Sequence, residues 1–485
     1  MIKPLNMNRI TLASLAILGS LAISCSGGTS KAPDPVGATP SPQQVEWQKM
    51  EMNMFFHFGP NTFTGREWGL GNEAEDIFNP TDLDCRQWTS IAKAAGFKGV
   101  IVTAKHHDGF CLWPNPVCTH TVAQSPWRDG KGDVLKDLSE ACCEDGIKFG
   151  IYISPWDRND PTYGSPAYND VYVKTLEDAH GRYGDIFEQW FDGANGEGPN
   201  GKRQVYDWKR FHEAVLSIHP EAIMFSDIGP GCRWVGNEKG IAGETSWSTL
   251  DTEGFGPGSD APCRDTLTAG NVWGECWVPA ETDVSIRPGW FWRESENDKV
   301  KTLDHLLDIY YSSVGRNSLL LLNVPPDTTG QIHPADSARL MEFKAALDEI
   351  FREDLSKGAK AKASAVRGRR FKAANVLDGS YDTYWAAPDG TCRASLTIDL
   401  DGMKTFNRVM LQEYIPLGQR VKAFSVEAQG EDGSWTRIGE GTTIGYKRIL
   451  LTEKVTAKAI RIGIDDSKAC PVLNGFGLFL DTIKN

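Results

Sequence analysis

The sequence predicts an α/β chain in two parts: a closed (β/α)8 barrel of the TIM type over residues 45–355, then an antiparallel β-sandwich over 356–485. Three observations carry this. Short apolar runs alternate with amphipathic stretches across about 300 residues, the pattern of a parallel sheet with crossover helices. The period then changes to two and stays there. The composition, 40% hydrophobic and 24% charged with 16 Trp in 485 residues, is that of a globular chain enriched in aromatics, which excludes disorder and a small disulfide scaffold.

The strand candidates in order are Met52–Phe56, Gly99–Thr103, Phe149–Ile153, Ile186–Phe191, Ala222–Phe225, Val272–Trp277 and Leu319–Val324, with an eighth expected near Thr245–Trp247. Between them lie helical patterns. One carries Val134, Leu135, Leu138, Ala141 and Cys142 and stops at Gly146; others carry Trp208, Phe211 and Val215, or Leu303, Leu306, Leu307 and Tyr310. Seven visible strands and a hidden one favour a closed barrel over an open sheet. No Gly-x-Gly-x-x-Gly run joins a strand candidate directly to a helical pattern in the sequence, which lowers a Rossmann reading. In the second part Ser395–Leu400, Arg408–Tyr414, Ala423–Ala428 and Ala459–Ile464 alternate polar and apolar residues, with turns such as Glu431-Asp432-Gly433 between. This is sandwich patterning.

At the other end, Lys3 and Arg9 precede an apolar run from Ile10 to Ile23, and no acid occurs before Asp34. That is the charge and length pattern of a secretory signal, too short for a stable membrane span. Small residues lead directly into Cys25, as in a bacterial lipobox, so residues 1–24 are expected as a signal peptide and Cys25 as the lipidated residue. Residues 25–44, rich in Ser, Pro and Gly, are expected as a flexible tether. The protein is then exported and lipid-anchored in a bacterial envelope, on its periplasmic side or at the cell surface, with no other membrane contact. The ten remaining cysteines show no metal spacing and no short framework; Cys142 and Cys143 are expected as core thiols. The net charge of −13 without a basic run disfavours nucleic acid, and abundant Trp fits a neutral ligand with flat apolar faces.

In a barrel, chemistry sits where strands end. Here the first run ends in His57 and the second in Lys105-His106-His107-Asp108. The third contains Tyr152, the fourth passes Trp190 to Asp192, and the fifth leads through Asp227 to Arg233–Glu238. One Asp after an apolar run is commonplace as a turn or cap; convergence of carboxylates, histidines and tryptophans on one rim is not. Two chemistries compete. The His-His-Asp cluster could hold a divalent metal and a hydrolytic water, or two carboxylates could work on a glycosidic bond with His and Trp placing the sugar. The metal reading lacks a ligand-spacing motif.

Phe55-Phe56-His57-Phe58-Gly59, Arg66-Glu67-Trp68, Ala104-Lys105-His106-His107-Asp108-Gly109-Phe110 and Trp190-Phe191-Asp192-Gly193 together resemble the α-L-fucosidases of glycoside hydrolase family 29, over residues 45–350. Arg233–Glu238 and Pro279–Phe291 look like the subgroup acting on α-1,3/1,4-linked fucose of Lewis-type glycans. The resemblance implies a retaining enzyme without cofactor or metal, acting on fucosylated oligosaccharides. It places the nucleophile on Asp192. His57, Glu67, Trp68, His106, His107, Tyr152 and Trp190 match positions that hold the sugar, and Trp290 or Phe291 is a candidate wall for its methyl group. Glu238 is the expected acid/base, with Glu281 the second choice, or else a structural partner of Arg287. The second part resembles discoidin-like sandwiches of carbohydrate-binding module family 32 through Asn375–Trp385, Leu396–Leu400 and Phe476–Phe479. This implies sugar binding or simple buttressing, with Trp385 in the core. The rival functional class is a glycan-binding lipoprotein that does not cleave.

Overall fold

The computed structural model describes residues 31–484; the segment expected as a signal peptide and Cys25 lie outside the described residues. Eight parallel strands close into a barrel: β1 (Met52–Phe56), β2 (Gly99–Lys105), β3 (Lys148–Ile153), β4 (Ile186–Trp190), β5 (Ile223–Ser226), β6 (Cys232–Trp234), β7 (Ala280–Ser285) and β8 (Ser318–Asn323), with β1 pairing to β8. Nearly every strand residue is buried, because helices cover the outside while side chains fill the inside. The helices form where the sequence punctuates them. Val134–Asp145 starts at Asp133, whose carboxylate accepts from Lys136 N, and stops at Gly146 in the left-handed region (φ 68°). Helix Pro42–Met50 plugs the lower end of the barrel, with Trp47 inserted among Phe55, Ile101, Ile223 and Leu321.

Two strand positions differ from expectation. The sixth strand is Cys232–Trp234 and the seventh is Ala280–Ser285, not Thr245–Trp247 and Val272–Trp277. β7 carries Glu281, Thr282 and Asp283 in its middle, so it shows no apolar run, and β6 is only three residues long. The apolar Val272–Trp277 segment instead contributes Cys276–Trp277 to a two-stranded ladder with Thr249–Leu250, outside the barrel. No helix separates β5 from β6; five residues turn the chain back, and Gly231 lies so close to Met224 that a Cβ would sit 2.5 Å from its backbone nitrogen. Residues 31–44, expected as tether, are held rather than free: Val36 N donates to Leu417 O at 3.1 Å, Arg420 binds Asp34 O, and the helix has already begun at Pro42.

The C-terminal domain is a seven-stranded antiparallel sheet around its own core of Trp385, Phe406, Phe424, Ile460 and Leu478. Ser395–Leu400 and Arg408–Tyr414 fall mainly in one 20-residue strand, Ala394–Glu413, whose register shifts between Asp399 and Lys404 and between Phe406 and Arg408. Trp385 is fully buried, as expected of a core residue. This domain docks on the barrel through Arg448 to Glu244 (2.6 Å), Asn317 N to Lys447 O (2.9 Å) and a Lys447–Glu51 ion pair. All ten cysteines among the described residues are free. Cys142 is core, but Cys143 is exposed, since consecutive helical positions point about 100° apart and only one can face inward.

Candidate active site

The C-terminal strand ends build an aromatic floor. His57 directly follows β1, and both its backbone N–H (3.2 Å) and its Nδ1 (2.8 Å) meet Asn323 Oδ1 at the end of β8. The backbone donor fixes that atom as the amide oxygen, so Nδ1 carries the imidazole proton. The Asn323 amide nitrogen donates to Ser285 Oγ (2.9 Å) and Trp290 O (2.8 Å). His106 and His107 stand ring to ring at 4.1 Å, and His106 lies parallel to Tyr152. His107 Nδ1 is 2.8 Å from Ser154 Oγ. Both histidines are buried, although adjacent positions usually diverge; β2 ends here and the chain turns. Burial pushes His57 down to about 3, His107 to about 4, and lowers His106 well below its ordinary value. Three neutral imidazoles therefore line the floor, each able to give and take a hydrogen bond, as sugar hydroxyls require.

Asp192 lies two residues beyond β4. Its Oδ1 accepts from Ala194 N (2.7 Å) and its Oδ2 from the Tyr152 hydroxyl (3.0 Å), with His107 Nε2 3.7 Å away. Tyr152 stays a phenol, since burial and the Asp192 charge both raise it. Trp190 stacks between Tyr152 (5.3 Å) and Phe225 (3.8 Å, 8°).

The rim comes from loops. Glu238 is exposed at the mouth, where Oε2 accepts from Trp290 Nε1 at 3.3 Å. Partial burial raises its carboxyl, the Trp290 N–H opposes this, and the charges of Asp192 and Glu67 add to the rise. Glu67 is already engaged: Oε1 takes Trp290 N (2.6 Å) and Oε2 pairs with Arg293. Trp68 is 55% exposed, edge-on to His107 and Trp156. Trp290 is half-buried over His57 at 5.0 Å, whereas Phe291 is fully buried with its edge toward His57 and His106.

Glu281 does not join this rim. It is fully buried inside the barrel, accepting from Trp190 Nε1 at 2.8 Å, because β7 turns it inward below the strand end. Nor does it pair with Arg287, whose guanidinium is locked on Asp336 at 2.8 Å with both side chains fully buried. Lys105 pairs with buried Asp157 (3.0 Å), and Asp227 caps Gly258 N. Among the described residues, one group of three offers ligand atoms within 4.8 Å of one another: Glu188, Cys232 and Glu281, in the barrel interior and away from the histidines.

Asn323, Ser154 and Asp283 are additions to the sequence reading. Asn323 was findable, being the polar residue that ends the β8 run. Asp283 was not, inside a strand without an apolar signal; it is buried, accepts from Trp234 Nε1 (3.0 Å), and is raised by burial and by the charge of Glu238.

Comparison with known proteins gives the family and the fold. The family model for α-L-fucosidases covers residues 36–348, and that for F5/8 type C domains covers 360–473. The chain is 42% identical to alpha-L-fucosidase 1 of Arabidopsis thaliana over 455 residues, 93% of this chain and 89% of the relative. The crystal structure of SpGH29 superposes with a TM-score of 0.88 at 38% identity, covering 92% of this chain and 99% of that one. The Ruminococcus gnavus GH29 fucosidase E1_10125 in complex with fucose does so at 0.85 and 34%, covering 94% and 97%. A barrel with this floor, followed by a discoidin-like sheet domain, belongs to the α-L-fucosidases of glycoside hydrolase family 29, and the chain is a glycoside hydrolase of that family.

Proposed function

We propose that the enzyme releases terminal L-fucose with retention of configuration, by double displacement between Asp192 and Glu238, and that its substrates are α-1,3/1,4-linked fucosides of Lewis-type glycans. The observation that carries the reading is the contrast between the two carboxyl groups. Asp192 is aimed from just beyond a strand end by two donors, one hydroxyl and one backbone N–H. Glu238 at the mouth is raised, which favours its protonated form. In the first step Asp192 attacks the anomeric carbon as the glycosidic bond breaks, and the Glu238 proton passes to the leaving oxygen. In the second, Glu238 takes a proton from water, whose oxygen displaces Asp192 and leaves fucose. The neutral histidines bind sugar hydroxyls, and Tyr152 keeps the carboxylate aimed.

The linkage reading rests on the sequence of Arg233–Glu238 and Pro279–Phe291, which supplies Glu238 and Trp290 to the mouth. Two measurements test the proposal. Asp192→Ala lowers turnover by about 10⁴-fold, and azide restores it with an inverted fucosyl azide as product. Glu238→Ala loses less on an aryl fucoside with a good leaving group, and azide yields the retained anomer. Identical products from both variants would end the assignment of roles. Release from a Lewis-type trisaccharide but not from 2′-fucosyllactose bears out the linkage; release from both keeps the chemistry and removes the specificity.

A further inference from the structure

Below the pocket, Glu188 of β4 and Glu281 of β7 lie together inside the barrel, both fully buried. Their oxygens and the Cys232 thiol fall within 4.8 Å of one another. Each acid takes one indole: Trp47 Nε1 donates to Glu188 Oε2, and Trp190 Nε1 to Glu281 Oε1, both at 2.8 Å. Glu281 Oε2 meets no donor. Among the described residues, no Lys or Arg is a leading influence on either acid; burial raises both, and the charge of Glu188 adds to the rise of Glu281. Two buried carboxyl groups this close, without a cation to pair with, resist being ionised together, because each charge adds to the cost of burying the other. A proton between them satisfies the orphaned oxygen and turns the pair into a carboxyl–carboxylate hydrogen bond.

The pair is connected upward. Glu188 and Trp190 are two apart on one strand and face the same way. Stacking on Phe225 at 3.8 Å sets the plane of the Trp190 ring, but a stacked ring can still slide and rotate in its plane. The N–H bond to Glu281 removes that freedom. Trp190 then packs on Tyr152, and the Tyr152 hydroxyl donates to Asp192.

We infer that Glu281, backed by Glu188, is a positioning residue for fucoside hydrolysis: it clamps the Trp190 indole, which holds Tyr152 and through it the carboxylate of Asp192. This rests on the catalytic roles proposed above, and it gives the second-choice acid/base a different task. A sealed carboxyl with an indole on one oxygen and a neighbouring acid at the other has no route to a leaving group.

A double-mutant cycle on an aryl α-L-fucoside tests the clamp. Glu281→Leu and Trp190→Phe each lower kcat by about 30- to 100-fold, the scale of a 1 Å misplacement. The double variant is no worse than the worse single, because both remove one bond. Glu281→Gln keeps kcat within about fivefold, since its amide oxygen accepts from Trp190 and its NH₂ donates to Glu188. Additive losses, or wild-type turnover in Glu281→Leu, overturn the clamp. Should the Leu variant not fold, the Gln variant decides: a loss as large as that of Glu238→Ala, reversed by azide, makes Glu281 an acid/base and overturns the inference. The indole N–H marker in ultraviolet resonance Raman difference spectra reads the clamp without turnover. A shift on Glu281→Leu that vanishes in the Trp190→Phe background supports the clamp even if Asp192→Ala disproves the proposed chemistry, and its absence removes the clamp even if that chemistry holds.

Discussion

The floor of the site and its rim are built in different ways. His57, His106, His107, Tyr152 and Trp190 stand on strand ends, all less than a tenth exposed, each fixed by a strand-borne partner or a stacked ring. Glu67, Glu238 and Trp290 stand on loops and are linked to one another, through Glu67 to Trp290 N, Arg293 to Glu67, and Trp290 to Glu238, with Asn323 the strand-borne tie to Trp290 O, while Trp68 leans edge-on against His107 and Trp156. A floor tied to the barrel cannot move without disturbing the core, so it suits the part of the substrate that never changes. A rim tied largely loop to loop can be reshaped without disturbing the core.

Breaking the floor has the largest expected effect. Asn323→Leu leaves the His57 backbone N–H and Nδ1–H without an acceptor in a dry site, a cost of about 1–3 kcal/mol for each buried group. The expected result is a fall of about 100-fold in kcat/KM, the same for an aryl fucoside and a branched oligosaccharide. A change under threefold would mean that ring packing alone holds His57. Breaking the rim separates the two substrates. Arg293→Ala frees Glu67 and raises KM for the oligosaccharide about tenfold while leaving the aryl fucoside within about threefold; equal effects on both would erase the distinction between floor and rim.

The smallest effect is the most specific. The Trp290 indole N–H favours the ionised form of Glu238 and so holds its carboxyl down against the other influences. Removing that donor in Trp290→Phe lets the carboxyl rise further. In the proposed mechanism Glu238 starts protonated, so the alkaline limb of the kcat/KM profile moves to higher pH, by about one unit or less for an exposed bond. Movement to lower pH would show that another group sets that limb.

Legibility in the sequence followed the same division. The rule that polar residues follow apolar runs at a barrel's site picked out His57, His106, His107 and Asp192, which the structure brings together, since a strand's period and its terminus are local properties. It failed where strands broke the period: β7 carries Glu281, Thr282 and Asp283, and a buried acid looks like a loop acid until its surroundings are known. The run Val272–Trp277 misled for the converse reason: it joins a small ladder beside the barrel, where Trp277 is buried but Trp273 and Cys276 stay exposed. Glu238 was reached through resemblance and spacing, not through pattern, because a loop position has no period to read.

By itself the sequence determined the barrel followed by a sheet domain, the order of most strands, the residues of the floor and the family they belong to. All of these depend on near neighbours in the chain: hydrophobic period, caps and contiguous motifs. Only the tertiary structure decided that Glu281 lies beneath the pocket, that residues 31–44 are held down, that Arg287 belongs to Asp336, and that Glu67 braces Trp290. Each is a pairing across tens to hundreds of residues. Burial and hydrogen-bond satisfaction settle such pairings only once the whole chain has packed, because the energy of a buried polar group depends on the partner it finds.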